Sequence, residues 1–206
     1  MDLAALEERL GHHFRNRELL NLALSHASIG AVSNERLEFL GDRVLGLIVA
    51  ERLYADYPGE AEGGLAVRLN ALVRREACAK AGEAAGLAPY LIMASSESGS
   101  GGRRKGAILA GACEAVIAAV YLDGGLDTAR RFVLRYWQEL FASLKTELRD
   151  AKTALQEWAQ GRGLALPTYA LVATSGPDHA RRFKFKGMAR HTHCYVKPSS
   201  TNCNHP

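Results

Sequence analysis

Apolar residues recur at helical spacing through the first 148 residues, and the pattern changes to alternation after residue 150. A chain that keeps helical spacing for so long must bury its helix faces against one another. Pairs of helix-ending residues, such as Pro58-Gly59 and Gly124-Gly125, mark boundaries between the helices. The pattern predicts helices over residues 3–10, 17–24, 35–54, 65–85, 107–122 and 128–148.

The remainder of the chain has a different pattern. Residues 152–160 form one more amphipathic segment, and Pro167 precedes TYALVAT, whose alternation predicts a strand. The segment RFKFK at 182–186 alternates again and predicts a second strand. A helix followed by strands is typical of a small α+β domain. The sequence therefore predicts an all-α domain over residues 1–148 and a separate α+β domain that begins near residue 150.

Three acidic side chains, Glu35, Glu38 and Asp42, lie in the otherwise apolar segment NERLEFLGDRVLGL. A spacing of four residues puts Glu38 and Asp42 on one helical face, with Glu35 one turn earlier. Carboxylates so arranged repel one another and are costly to desolvate unless a positive group neutralises them. A hard divalent cation such as Mg²⁺ would do so. The alternative is a solvated helix edge on which Glu38 pairs with a basic side chain.

Composition limits the class of protein. The chain has 206 residues, of which 48% are hydrophobic, enough for the core of one or two globular domains. It has no run of about 18 apolar residues and no signal-peptide pattern, so we expect a cytoplasmic protein without a membrane partner. The four cysteines lack CxxC spacing, which argues against a disulfide framework, and Cys78 and Cys113 are expected to be buried thiols.

Charge is distributed unevenly along the chain. The net charge is +4, yet residues 181–206 contain six Lys or Arg and no acid, which leaves −2 for the rest. A basic end is compatible with nucleic acid as a partner, or with a merely solvated tail. Residues 95–102, SSESGSGG, are predicted to be a flexible loop. The basic residues that follow, Arg103, Arg104 and Lys105, are expected either to contact phosphate or to be solvated.

The segment NERLEFLGD resembles the signature of bacterial ribonuclease III, the endonuclease family that cleaves double-stranded RNA. Three further segments match that family in order and spacing: LALSHAS at 22–28, EGGLAVRLNALV at 62–73 and ILAGACEAVIAAVYLDGG at 108–125. The resemblance extends over about residues 1–180. It implies an all-α endonuclease domain joined to a small α+β double-stranded RNA-binding domain.

The resemblance also implies a chemistry and a set of site residues. The reaction would be divalent-metal-assisted phosphodiester hydrolysis with Mg²⁺, or Mn²⁺ as a substitute, leaving 5′-phosphate and 3′-hydroxyl ends. Glu38 would be a metal ligand, Asp42 a catalytic acid, and Glu114 both a ligand and a catalytic residue. Glu35 would assist near the axis of a homodimer. Phe39 resembles an aromatic knob that inserts into the partner subunit, with a core aromatic as the alternative.

One departure from the family concerns the second acidic motif, D-x-x-E. Here Gly111 stands three residues before Glu114, where the family has an aspartate. Losing a carboxylate removes one oxygen ligand and one negative charge from a site that holds a dication. We therefore expect weaker Mg²⁺ binding and slower cleavage. Asp123, at the far end of the same helix, is expected to serve the turn there and not to replace the missing ligand.

The C-terminal part resembles the start of a double-stranded RNA-binding domain. KTALQEWAQ resembles its first helix, and PTYALVATSGPDHA resembles its first strand and the following loop. Such domains read the shape, 2′-hydroxyls and phosphates of A-form RNA. The resemblance places six residues in two RNA minor grooves: Thr153, Gln156 and Glu157 on the helix, and Pro177, Asp178 and His179 in the loop.

After Ala180 the chain departs from the family again. The ending GMARHTHCYVKPSSTNCNHP lacks the lysine-rich final helix that the resemblance implies, as in a truncated or frame-shifted end. We therefore predict a partial RNA-binding domain over 150–186 and an atypical, disordered tail over 187–206. Zinc binding is the alternative for the tail, but the spacing fits no standard finger. The candidate ligands would be His191, His193, Cys194, Cys203 and His205.

Three functions compete at this stage. The leading hypothesis is a Mg²⁺-dependent homodimeric endonuclease that cleaves double-stranded RNA in the processing of ribosomal and other structured precursors. The second is a cleavage-deficient RNA-binding or dimerisation partner, because Gly111 replaces the family aspartate. The third is a purely structural helical interaction protein.

Overall fold

The computed structural model of the chain describes residues 2–30, 32–147, 159–163, 168–175, 182–189, 192–197 and 200–203. The chain divides into two compact units, Met1–Ala142 and Ser143–Pro206. The sequence predicts a boundary a few residues later, near residue 150.

Helices occupy the chain as far as residue 147, as the spacing of apolar residues predicts. Side chains cap the first two: the Asp2 carboxylate accepts from the Ala4 amide at 3.0 Å, and the Asn16 side chain accepts from the Glu18 amide at 3.1 Å. The helices are α1 (Leu3–Leu10), α2 (Arg17–Ala23), α3 (Glu35–Asp56), α4 (Glu62–Val73), α5 (Arg75–Ala84), α6 (Ser95–Gly99), α7 (Gly106–Gly124), α8 (Leu126–Tyr136) and α9 (Gln138–Glu147). Single 3₁₀ turns lie at Ala27–Ile29, Ala88–Tyr90 and Gly102–Arg104.

The core of the first unit is built around α7, against which α2, α3, α5 and α8 pack. The sequence of α7 is apolar on nearly all sides, and such a helix must be enclosed by others. Within the described part of the chain, α7 alone is long and apolar enough to cross a membrane. However, 67% of its apolar stretch is buried inside the protein. That burial is what the central helix of a globular core requires.

Two helices that the sequence predicts as continuous are broken. Arg74 is extended (φ −66°, ψ 156°) and separates α4 from α5. Trp137 separates α8 from α9; it is fully buried, and its indole N–H donates to the Leu72 carbonyl at 2.8 Å. Neither position is Gly or Pro, so the local sequence carries no signal for the break. Packing of Trp137 against the end of α4 accounts for the second one.

The loop predicted to be flexible at 95–102 contains a helix, α6, and has specific contacts. Lys105 Nζ lies 2.7 Å from Glu97 Oε1. Arg103 Nη1 donates to the carbonyls of Ala88 at 2.9 Å and Pro89 at 3.1 Å. Two of the three basic residues considered for phosphate contact are therefore engaged within the protein.

Asp123 serves the end of α7, as the sequence predicts. It is 5% exposed, and its carboxylate accepts from the amides of Arg15 at 3.1 Å and Asn16 at 3.0 Å. His12 Nε2 lies 2.8 Å from the same carboxylate. These contacts fasten the segment between α1 and α2 to the end of the central helix.

The second unit contains a four-stranded antiparallel sheet in the order β1-β2-β3-β4. The predicted strands TYALVAT and RFKFK are confirmed as β1 (Thr168–Ser175) and β2 (Arg182–Ala189). Leu171 pairs with Phe185, and the register shifts between Leu171 and Ala173. Of the predicted helix at 152–160, only residues 159 and 160 are described, and their backbone is helical.

The structure differs from the disordered tail that the sequence predicts over 187–206. It has strands β3 (Thr192–Lys197) and β4 (Ser200–Cys203), with Cys194 opposite Cys203 in the backbone register. Thr192, Cys194 and Val196 alternate with longer polar residues, a two-residue period that suits a strand. The candidate zinc ligands His191 and His205 lie outside the described residues.

Candidate active site

The acidic residues of α3 and α7 meet where the two helices cross. Gly41 is buried at this crossing, and a Cβ placed there would collide with the backbone carbonyl of Glu114. The absence of a side chain therefore lets the two backbones approach closely. Glu38 lies about one turn before Gly41 and Asp42 follows it directly, so both acids are at the crossing, and the charge of each acts on Glu114.

The negative charges of Glu38, Asp42 and Glu114 at the crossing are only partly offset by positive groups. The pKa of Glu114 is raised to about 7, mainly by burial and also by the negative charges of Asp42 and Glu38, against opposing contributions from Cys78 and Arg75. Burial also raises the pKa of Glu38, as do the charges of Glu35 and Asp42. Carboxylates held together in this way favour a proton or a cation between them. The solvated-edge alternative does not fit Glu38, which is only partly exposed and makes no ion pair within 4.0 Å among the described residues.

Asp42 is partly exposed, as Glu38 and Glu114 are, and it has a basic neighbour. Its carboxylate forms an ion pair with Arg43, and the Arg43 guanidinium lies 5.1 Å from the centre of the Phe39 ring. The charge of Asp42 still reaches Glu38 and Glu114, since it raises the pKa of both. Asp42 therefore belongs to the same electrostatic cluster.

Gly111 lies directly against the Glu38 carboxylate. A Cβ at Gly111 would be 2.5 Å from Glu38 Oε2 and 2.9 Å from Glu38 Cδ. The position where the resemblance expects an aspartate therefore faces the acidic site. Within the described part of the chain, no group of three or more His, Cys, Asp or Glu side chains is arranged to hold a metal ion. The carboxylates present suit a hard cation by chemistry and charge, and the resemblance expects one more carboxylate at the position of Gly111.

Glu35 lies at the edge of the site and not within it. Its carboxylate accepts from the Ser33 hydroxyl at 2.8 Å, and its side chain is exposed. It influences Glu38 through charge, since it raises the Glu38 pKa. Glu35 also lines a groove beside the site, which connects the acidic cluster to an apolar surface.

That apolar groove has a volume of about 880 Å³. Three of its lining side chains are large and exposed: Val32 at 73%, Phe39 at 66% and Leu122 at 50%. Phe39 is therefore not a core aromatic, and that alternative is wrong. Leu22, Leu37 and Leu40 complete the apolar lining.

Helix α5 brings two residues to the site that sequence reasoning did not assign to it. The Cys78 thiol is fully buried and donates to the Val73 carbonyl at 3.6 Å. Cys78 and Arg75 both lower the pKa of Glu114, and Arg75 also lowers that of Glu38. No local spacing signals either residue, because only the packing of α5 against α7 places them there. Cys78 and Cys113 are confirmed as buried free thiols.

Six predicted RNA contacts cannot be placed. Residues 151–158 and 176–181 lie outside the described part of the chain. The residues concerned are Thr153, Gln156, Glu157, Pro177, Asp178 and His179.

Comparisons with known proteins identify the family of this chain. The family model described as ribonuclease-III-like matches residues 16–140. The chain is 56% identical over 185 residues to a ribonuclease 3 of Cereibacter sphaeroides, covering 88% of this chain and 81% of that protein. It is 53% identical over 184 residues to ribonuclease 3 of Caulobacter vibrioides, covering 86% of this chain and 80% of that protein.

Solved structures also match the helical unit to the nuclease domain of ribonuclease III. The nuclease domain of ribonuclease III from Campylobacter jejuni, which was studied for flexibility in the region involved in dimer formation, superposes with a TM-score of 0.66. The two are 37% identical, over 68% of this chain and 99% of that one. Dicer from Pichia stipitis, at 20% identity and a TM-score of 0.53, shares the fold. The chain belongs to the ribonuclease III family of endoribonucleases.

Proposed function

We propose that this chain cleaves double-stranded RNA by divalent-metal-assisted hydrolysis of phosphodiester bonds, leaving 5′-phosphate and 3′-hydroxyl ends. The proposal includes a role in processing ribosomal and other structured RNA precursors, in the cytoplasm. The observation that carries it is the cluster of Glu38, Asp42 and Glu114 at the α3–α7 crossing, where burial and mutual repulsion raise the pKa of Glu38 and Glu114. Family membership argues against the third hypothesis, a purely structural helical protein.

In this proposal Glu38 and Glu114 hold Mg²⁺, or Mn²⁺ in its place, and Asp42 supports them as a catalytic acid. The bound ion would supply Lewis-acid activation of water and neutralise charge that develops on the phosphate. Glu114 must be deprotonated to act as a ligand, and its raised pKa makes the ion compete with a proton. Cys78 partly offsets this rise, since it lowers the pKa of Glu114.

We propose that the groove beside the site is the surface of a homodimer. Val32, Phe39 and Leu122 form an exposed apolar patch on an otherwise well-packed helical unit, and such patches favour association. Phe39 would insert into the partner subunit, with Glu35 near the dimer axis. The C-terminal unit is proposed to be a partial double-stranded RNA-binding domain that contacts the minor groove through the six residues predicted above.

A second candidate function is binding of double-stranded RNA without efficient cleavage. The observation that favours it is Gly111, which faces Glu38 but supplies no ligand. An ion at this site would have fewer protein oxygens than the family motif provides, and both its affinity and the cleavage rate would fall.

Cleavage of a long RNA duplex tests the proposed function. The purified chain with Mg²⁺ or Mn²⁺ should give short products whose 5′-phosphates are removed by phosphatase, and Glu38→Gln and Glu114→Gln should abolish cleavage. Duplex binding without cleavage would favour the second function. Cleavage that survives both glutamate substitutions would contradict the proposed site.

A further inference from the structure

Arg75 lies at the solvent edge of the acidic site. It is the first residue of α5, and Cys78, three residues later, shares its helical face. Cys78 is fully buried where α5 packs against α7, and it lowers the pKa of Glu114. The Arg75 side chain is exposed and one turn nearer the N-terminus of α5. The helix therefore places a guanidinium where the acidic cluster meets solvent.

The positive charge of Arg75 acts on acidic residues of both α3 and α7. Burial raises the pKa of Glu38 and of Glu114, and the Arg75 guanidinium opposes the rise in each pKa. Arg75 nevertheless makes no ion pair within 4.0 Å in the part of the chain that the structure describes. Helix α5 packs closely against α7, since a Cβ at Gly82 would lie 3.0 Å from the Leu109 carbonyl oxygen. Arg75 therefore lies on the side of the site that α5 forms, without an ion pair to either carboxylate.

Neighbouring arginines are engaged differently. Arg43 forms an ion pair with Asp42, and Arg74 Nε lies 3.8 Å from Glu76 Oε2. The Arg75 side chain makes no hydrogen bond with the residues that the structure describes, so its donors can meet a group that arrives from solvent. The planar guanidinium fork matches two oxygens of a phosphate, so a backbone phosphate is a suitable partner.

We propose that Arg75 contacts the non-bridging oxygens of an RNA phosphate beside Glu38 and Glu114, and so positions the backbone for cleavage. The inference rests on the proposed function. An acidic cluster repels a polyanion unless cations are present, and Arg75 would supply a fixed positive charge at its edge. Phosphate contacts of this kind set the register of a nucleic acid and carry no sequence information.

The neighbouring Arg74 provides a matched control, because it is exposed, also arginine, and paired with Glu76. Arg75→Gln, Arg75→Lys and Arg74→Gln are made in the full chain. Affinity for a long RNA duplex is measured by fluorescence anisotropy in Ca²⁺ at several KCl concentrations, and kcat/KM is measured in Mg²⁺.

Arg75→Gln should weaken duplex binding roughly tenfold, and the slope of log affinity against log salt should fall by about one. Arg75→Lys should keep that slope but recover only part of the affinity and of kcat/KM, because an ammonium lacks the bidentate fork. Arg74→Gln should change neither quantity. Equal losses in Arg75→Gln and Arg74→Gln, or no loss in either, would overturn the role of Arg75.

The two readouts separate this inference from the proposed function. If the parent chain does not cleave but Arg75→Gln alone weakens binding, cleavage fails as a function and the Arg75 contact stands. If the parent chain cleaves and Arg75→Gln binds and cleaves as well as the parent, the proposed function stands and the Arg75 contact is overturned. A chain that does not bind duplex RNA at all would overturn both.

Discussion

Among the acids at the α3–α7 crossing, Glu114 has a strongly raised pKa. Burial is the largest cause of its raised pKa of about 7, and the charges of Asp42 and Glu38 also raise it. The acids of α3 could be recognised from the sequence alone, because four-residue spacing puts them on one face. Glu114 was assigned only through the family resemblance, since nothing in its own helix marks it as part of the same site.

The pKa of Glu114 predicts a pH dependence of stability for the metal-free protein. Between the ordinary value of 4.5 and about 7, the folded state holds a proton on Glu114 that the unfolded state has released. The free energy of unfolding should therefore contain a contribution that is full below pH 4.5 and is lost as the pH rises to about 7. Glu114→Gln should remove this contribution.

Urea unfolding of the parent chain and of Glu114→Gln in EDTA, from pH 4 to pH 8, measures the difference. The parent should lose more stability than the variant across this range. Parallel curves for the two proteins would mean that Glu114 titrates as an ordinary exposed carboxylate.

The sequence does not predict that Arg75 and Cys78 belong to the site. Neither has a spacing relation to the acids of α3 or to Glu114, because α5 reaches the site only by packing against α7. Gly111 was identified as a departure from the family, but its direct approach to the Glu38 carboxylate required coordinates.

At the scale of elements, the α3–α7 crossing depends on Gly41. A Cβ there would collide with the Glu114 backbone, which cannot move aside as the end of a flexible side chain can. Gly41→Ala should therefore destabilise the protein by about 3 kcal/mol and disturb the acidic site.

Gly46, on the same helix, is the control for Gly41. A Cβ at Gly46 meets nothing within 4 Å, so Gly46→Ala should stabilise the protein by up to about 1 kcal/mol through helix propensity. Thermal or urea unfolding compares the two variants. Destabilisation by both, or by neither, would show that the crossing is not limited by contact at Gly41.

The spacing of apolar residues and the pairs of Gly and Pro predict most helix positions in the first unit. They do not predict two breaks between helices. Arg74 and Trp137 interrupt helices without any local signal, and the buried Trp137 side chain depends on α4, which is distant in sequence. The strands β3 and β4 were missed for a different reason. The segment after Gly187 departs from the family and has no clear period over its whole length, so its sequence does not predict these two short strands.

At the scale of the whole molecule, the apolar groove predicts association. Phe39→Ala should raise the dissociation constant of the homodimer at least about tenfold, because a large exposed aromatic is removed from each side of a symmetric contact. Tyr54, on the same helix and 78% exposed, does not line the groove and provides the control.

Sedimentation velocity over a range of concentrations measures this dissociation constant for Phe39→Ala, Tyr54→Ala and the parent. Tyr54→Ala should associate as the parent does. Equal weakening in the two variants would place the dimer surface elsewhere, and a parent chain that remains monomeric would remove the homodimer from the proposed function.

The central claim is that the α3–α7 crossing is a metal-dependent nuclease site that lacks one carboxylate at Gly111. Asparagine matches aspartate in size and also displaces the Glu38 carboxylate, but it adds no charge, so Gly111→Asn is the control for Gly111→Asp. The most direct measurement is the single-turnover rate at which each variant and the parent cleave a long RNA duplex in Mg²⁺. Gly111→Asp should cleave at least about a hundredfold faster than Gly111→Asn; equal rates for the two variants would contradict the claim.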